Sequence, residues 1–213
     1  MHKIKRLDRR ELLKDGPKMF GDLFTQFAGA YIEAKDSFNE ARKDAPDRAD
    51  QYLDPSRGLL RPPGAVNEDL FRKLCDKCDD CIKACPENVL FRASELYGQN
   101  EGSPTFNPIR KACFLCTEFY CAKSCKTGAL LLPTSPLSVK IGKARINPAK
   151  CIAQQGQECD KCLNSCPLPS PAIRLLGSVP IIDGQSCVGC GLCEHACYHS
   201  AKEKAITTLP SLL

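Results

Sequence analysis

Tryptophan is absent from this sequence, and aromatic residues make up only 7% of its 213 positions. So few large rings make a thin hydrophobic core, and metal–thiolate bonds are one alternative source of folding free energy. No stretch approaches the 18 or more apolar residues of a membrane span. No glycine-rich nucleotide loop follows a strand pattern, and no Ser/His/Asp or metal-hydrolase signature occurs. These absences leave no credible catalytic constellation, so the chain is not expected to be an enzyme in its own right.

What the sequence has instead is cysteine. All 16 fall between Cys75 and Cys197 in four quartets, with none left over. The first is Cys75, Cys78, Cys81 and Cys85, with Pro86 after it. The second is Cys113, Cys116, Cys121 and Cys125. The third is Cys151, Cys159, Cys162 and Cys166, followed by Pro167. The fourth is Cys187, Cys190, Cys193 and Cys197. A cubane cluster has four iron corners, each needing one thiolate. A tight Cys-x2-Cys-x2-Cys loop supplies three, and the fourth cysteine ligates the other cluster of a pair in two-cluster ferredoxins. Structural zinc favours two Cys-x2-Cys pairs a dozen or more residues apart, whereas here the thiols crowd together. A disulfide framework suits short secreted chains, and cysteines at x2 spacing pair poorly. The quartets therefore point to four 4Fe–4S clusters, with all 16 cysteines as iron ligands, and to an electron-transfer role.

The formal charge of +5 counts those cysteines as neutral. Sixteen thiolates subtract 16 and four oxidised cores at about +2 each add about 8, leaving about −3. Much of the Lys/Arg excess then balances the clusters, and a nucleic-acid patch is not implied.

Taken in order, residues 1–18 are basic and contain Asp8-Arg9-Arg10-Glu11-Leu12-Leu13-Lys14, close to a twin-arginine export motif. An export signal needs an apolar run next. Asp15, Gly16, Pro17, Lys18 and Asp22 follow instead, and the stretch before Ala28-Gly29-Ala30 is too polar. A cytoplasmic location is the expectation, with the periplasm as the alternative. Phe20, Leu23, Phe24, Phe27, Tyr31, Ala34 and Phe38 recur at helical steps, so an amphipathic helix is expected over about 19–43. Its face packs on its own domain or, through 20–38, docks on a partner. Residues 44–69 are rich in Pro and Gly and read as a linker crossing the surface. Residues 70–208 form the cluster domain.

That domain repeats internally. Thr105-Phe106-Asn107-Pro108, Ala144-Arg145-Ile146-Asn147-Pro148 and Val179-Pro180-Ile181-Ile182-Asp183-Gly184 each place an extended run and a turn before a quartet. A small apolar pair follows each quartet: Val89-Leu90, Ala129-Leu130, Ala172-Ile173 and Ala205-Ile206. The unit is strand, turn, cluster loop, half-turn of helix, strand. The fold class is therefore α+β, with four such repeats making two ferredoxin-like dicluster modules behind an N-terminal amphipathic helix.

Several of these stretches resemble the ferredoxin-type proteins of periplasmic nitrate reductase and methylamine-utilisation systems, the NapG/MauM and NapF-like family. They are the second quartet with its x4 gap and Lys126-Thr127-Gly128-Ala129-Leu130, the third quartet with Cys151-x7-Cys159, Arg61-Pro62-Pro63-Gly64-Ala65, and Val188-Gly189-Cys190-Gly191-Leu192-Cys193-Glu194. The resemblance covers about residues 58–208, plus Arg9-Arg10. It implies a four-cluster electron carrier. In an exported branch such a carrier passes electrons from a membrane quinol-oxidising protein toward a terminal oxidoreductase, and a cytoplasmic branch serves reductases or their maturation. The partners implied are redox proteins, and an assembly factor for a metallo-oxidoreductase is the alternative function.

Lys126 and Tyr198 stand where proline often follows the fourth cysteine in the family. Unlike proline, both have an N–H for a cluster sulfur, which would raise the potential of nearby clusters. His195 and His199 flank Cys197, but every iron corner already has a thiolate, so neither is expected to be a ligand. Quartets pair either sequentially (one with two, three with four) or in a nested order. The regular spacing shared by quartets one and four favours nesting, with Cys197 completing the first quartet's site, Cys85 the fourth's, Cys166 the second's and Cys125 the third's.

Overall fold

The computed structural model describes residues 54–168, 172–200 and 204–211. All belong to one compact unit spanning Ala49–Leu213. The basic N-terminus and the helix expected over 19–43 lie outside the described residues.

Part of the expected linker does not behave as one. Within 44–69, residues Leu59, Leu60, Arg61 and Pro62 are buried. Leu60 bridges to Phe106, and Ala65 bridges to Leu130. The Arg61 guanidinium is inserted rather than solvated. It donates to Glu68 through Nε at 2.9 Å, to Ser103 Oγ at 2.7 Å, to the Pro104 carbonyl at 3.1 Å and to Asn100 Oδ1 at 3.0 Å. Its plane also covers the Phe71 ring at 4.5 Å. Pro and Gly here fix a packed extended run. Gly64, at φ +84°, is one that cannot change, because a Cβ would sit 1.9 Å from the Leu131 carbonyl oxygen.

Helix α1, Glu68–Leu74, follows at once. The Asn67 side chain caps it by accepting the Leu70 N–H at 2.9 Å, and acidic residues lie in its first turn with basic ones in its last. Three one-turn helices come after three cysteine loops: α2 at Asp80–Lys83, α3 at Tyr120–Lys123 and α4 at Lys161–Asn164. The last, α5, is longer, Leu192–Ser200. A proline after Cys197 would remove a helical N–H and clash with the preceding turn, so Tyr198 permits the extension. It does not by itself cause it, since Lys126 follows Cys125 and α3 still stops after one turn.

The strands are short. β1, Phe91–Arg92, pairs antiparallel with β2, Pro104–Thr105. β3, Gly142–Ile146, pairs antiparallel with β6, Ile206–Pro210. β4, Ile173–Leu176, pairs antiparallel with β5, Val179–Ile182. The two halves share one plan. In the second, the outer strands β3 and β6 close the module around the β4–β5 hairpin. In the first, the Ala65·Leu130 bridge closes around β1–β2. The mixture of short helices and strands is the α+β class expected, and the packing takes in part of 54–69 as well. All four post-quartet apolar pairs are buried, from Val89-Leu90 to Ala205-Ile206.

Candidate metal centre

Three of the four cysteine loops are launched by the same device, and the first leaves the end of α1 at Cys75. Asn107 Oδ1 accepts the Ile109 N–H at 3.0 Å, Asn147 Oδ1 accepts that of Ala149 at 3.0 Å, and Asp183 Oδ1 accepts that of Gln185 at 2.9 Å. Such turns direct the chain from the strand into the loop. The Cys151 and Cys187 N–H groups then return to the Asn147 and Asp183 carbonyls at 3.1 and 3.0 Å. Within the loops Lys77, Asp79, Leu115, Phe119, Gly189 and Gly191 adopt positive φ. Left-handed residues among ordinary ones turn successive N–H groups toward one concavity, an arrangement suited to anionic sulfur. Gly189 is required on a second count, since a Cβ there would lie 2.3 Å from the Gly142 backbone nitrogen.

The thiols group sequentially, not nested. Cys81 has Cys121, Cys75, Cys125 and Cys78 as its electrostatic neighbours. Cys121 has Cys116 and Cys85. Cys162 has Cys159, Cys151 and Cys197, and Cys190 has Cys187 and Cys166. Four sites result. Site A takes Cys75, Cys78, Cys81 and Cys125; site B takes Cys113, Cys116, Cys121 and Cys85. Site C takes Cys187, Cys190, Cys193 and Cys166, and site D takes Cys151, Cys159, Cys162 and Cys197. The nested expectation fails because each module is closed by its own outer strands, which bring α2 against α3 and α4 against α5. The spacing on which nesting rested records loop length, not neighbourhood. A cross-link from Lys126 Nζ to Asp80 Oδ2 at 3.3 Å joins quartets one and two in the same sense.

Sites C and D are open cavities. Cys151, Cys159, Cys162 and Cys197 line one, walled by Ile146, Ile152, Ala153 and Ile206. Cys166, Cys187, Cys190 and Cys193 line the other, with Ala144, Leu168 and Ile173. All sixteen cysteines are free thiols. Among the described residues no three His, Cys, Asp or Glu side chains converge closely enough to hold one metal ion. Zinc would draw its sulfurs to about 2.3 Å. At sites C and D the thiols instead line a cavity.

Burial raises the thiols at the centre of each site. It pushes Cys81 and Cys121 up to about 12, aided by neighbouring thiols. Cys162 and Cys190 are pushed to about 11, and Cys113 and Cys193 are also raised, burial being the main cause throughout. Thiolates in such surroundings require a compensating positive charge, which an iron core supplies. Donors aimed at sulfur meet the same need. The Val89 N–H reaches Cys85 Sγ at 3.5 Å, Leu130 reaches Cys125 at 3.4 Å, Ala144 reaches Cys187 at 3.4 Å and Ala205 reaches Cys197 at 3.3 Å. Burial raises Cys125 too, but the Thr127 hydroxyl and surrounding N–H groups more than offset this and hold its thiol below the ordinary value. At Cys125 the donors are the Thr127 hydroxyl and the Leu130 N–H, while the Lys126 ammonium pairs with Asp80. The Tyr198 N–H falls within the repeat of α5.

Between the modules, the Cys113 N–H of site B donates to the Cys190 carbonyl of site C at 2.9 Å. His195 Nδ1 lies 2.8 Å from the Pro108 carbonyl and His199 Nε2 lies 3.1 Å from that of Ile109. Both histidines therefore serve the junction, not the metal. Glu194, fully buried, accepts from Arg57 at 2.8 and 2.9 Å, from Lys204 Nζ at 3.0 Å and from the Thr208 N–H at 2.7 Å. Sequence reasoning did not single out Arg57, Thr127 or a structural role for Glu194. The one available sign was an acidic residue directly after a quartet cysteine, at the start of α5.

Thiols that converge from two loops on each of two adjoining sites, inside a module closed by its own outer strands, define a ferredoxin-type iron–sulfur protein. Residues 74–129 match the family described as "4Fe-4S dicluster domain". The chain is 34% identical over 208 residues to the methylamine utilization ferredoxin-type protein MauM of Methylophilus methylotrophus, covering 91% of this chain and 85% of that one. It is 33% identical to MauM of Methylorubrum extorquens, over 99% of this chain and 92% of that one. It is also 34% identical to the ferredoxin-type protein NapG of Escherichia coli K12, over 71% and 70%. No solved structure matches. The chain belongs to the MauM and NapG family of ferredoxin-type proteins.

Proposed function

We propose that this chain is an electron-transfer protein holding four 4Fe–4S clusters, one at each of sites A to D, and that it relays single electrons between a quinol-oxidising or dehydrogenase donor and an oxidoreductase. The observation that carries this reading is the junction between modules. The hydrogen bond from Cys113 to Cys190 sets site B against site C. With A beside B and C beside D, the sites form one row, A–B–C–D. When bound, clusters supply reversible one-electron chemistry, and hydrogen bonds to sulfur and exposure tune it. The residues of the chain hold the ligands, exclude water with an apolar wall, and direct N–H donors at sulfur. No side chain is assigned a catalytic role, since the bond-breaking chemistry belongs to the partners.

The partners proposed are redox proteins, in keeping with relatives named for methylamine utilization and as NapG. The polar residues after Arg9-Arg10 support a cytoplasmic location, and fractionation of the native host with an antibody to the chain tests it. Anaerobic purification with iron and sulfide analysis tests the four-cluster reading. About 16 of each per chain is the expected result. Zinc in place of iron overturns it. Copurification with a catalytic subunit supports a relay, whereas binding only to a cofactor-free partner makes the chain an assembly factor.

A further inference from the structure

The four sites are not equivalent in the donors that reach their sulfurs. At Cys85, Cys187 and Cys197 the hydrogen bonds described come from a single backbone N–H each. At Cys125, the fourth ligand of site A, the Leu130 N–H at 3.4 Å is joined by the Thr127 hydroxyl, with Oγ1 3.6 Å from Sγ. The hydroxyl oxygen accepts the Ala129 N–H at 3.5 Å, and its one proton is available to the sulfur. A thiolate has no proton to give, which fixes the direction of the bond. Site A differs in a second, independent way: its ligand Cys78 is exposed, the only one of the sixteen cysteines in that class.

Reduction adds one negative charge to a cluster and its sulfurs. A donor aimed at sulfur, and water at a ligand, both stabilise that extra charge and raise the midpoint potential. The two features act in the same direction at one end of the row. We infer that Thr127 is a potential-setting residue and that it makes site A the highest-potential site, the end at which electrons collect before leaving through the face around Cys78. This rests on the reading of sites A to D as cluster sites in a row.

The test is an anaerobic redox titration followed by electron paramagnetic resonance on the full-length holoprotein, with iron counted on the same samples. Thr127→Val removes the hydroxyl with little change of shape; Thr127→Ser keeps it. The expected result is that Thr127→Val shifts the highest midpoint downward and leaves the others in place, while Thr127→Ser stays near wild type. Cys78→Ser identifies the site, since it changes the spectrum of that same highest-potential signal. Full iron with no midpoint moved by Thr127→Val overturns the inference alone. So does a shift in any midpoint other than the highest, or a loss that Thr127→Ser fails to restore. Wild-type protein with little iron overturns the four-cluster reading and this inference with it.

Discussion

Glu194 offers the sharpest test of how the two modules are held together. Its carboxylate is fully buried and receives four hydrogen bonds, two from Arg57, one from Lys204 and one from the Thr208 N–H. Arg57 belongs to the segment leading into the first module; Lys204 and Thr208 belong to the second. Glu194→Ala leaves the Arg57 guanidinium, whose side chain is only 11% exposed, without its partner. Breaking a buried ion pair from one side costs about 3–5 kcal/mol. Glu194→Gln keeps an acceptor for Thr208 but loses the charge, and should cost about 1.5–3 kcal/mol, in the range of a charged hydrogen bond. Lys204→Ala should cost less than about 1 kcal/mol, because that side chain is partly solvated and screened. The assay is anaerobic guanidinium unfolding of the holoprotein, followed by circular dichroism in the visible cluster bands. With slopes of roughly 2–6 kcal/mol/M, the alanine variant should move the midpoint by on the order of 1 M. The double variant Arg57→Met with Glu194→Met should recover much of the loss, since neither charge is then stranded. A stability loss of less than about 1 kcal/mol for Glu194→Ala would refute the reasoning.

Three further outcomes are expected. Cys125→Ser should alter the same spectroscopic signal as Cys75→Ser, and Cys197→Ser the same signal as Cys159→Ser; a signal shared by Cys197 and Cys75 would restore nested pairing. Gly189→Ala, which drives a Cβ to 2.3 Å from the Gly142 nitrogen, should cost several-fold more iron retention than Gly156→Ala, where a Cβ meets nothing within 4 Å. Iron counted after identical purifications decides it, and the comparison controls for the positive φ that both glycines share. Chelation of iron without oxygen should remove most far-ultraviolet dichroism, because strands of two to five residues and one-turn helices cannot persist alone.

Much of this was legible before any coordinates. The clustering of the thiols could be read because the cysteines fall in closely spaced quartets, and the buried pairs such as Ala172-Ile173 because they recur after each quartet. The turns could be read from Asn107, Asn147 and Asp183, whose side chains close them. Pairing was not legible. It depends on which strands close a module, and bridges such as Ala65 to Leu130 are too short to leave a pattern. Nor were the left-handed positions Lys77, Leu115 and Phe119, since such residues rarely adopt positive φ, and Asp79, one of several aspartates near the loop, was not marked out by its type alone. The Pro/Gly-rich run before Cys75 misled for a related reason. Composition reports stiffness and turns, whereas the burial of Leu60 and Arg61 depends on partners about 40 residues away in sequence, at Ser103 and Phe106.

Sequential pairing also has a bearing on synthesis. Proteins emerge from the ribosome N-terminus first, and no metal site can close before its last ligand is made. Sites A and B have all eight of their thiols once Cys125 has emerged, before Cys151 has. A nested chain would have held its first three cysteines open until Cys197, the last of the sixteen. The first module can therefore be loaded while the second is still being translated, which shortens the time its exposed Cys78 loop spends as bare thiol.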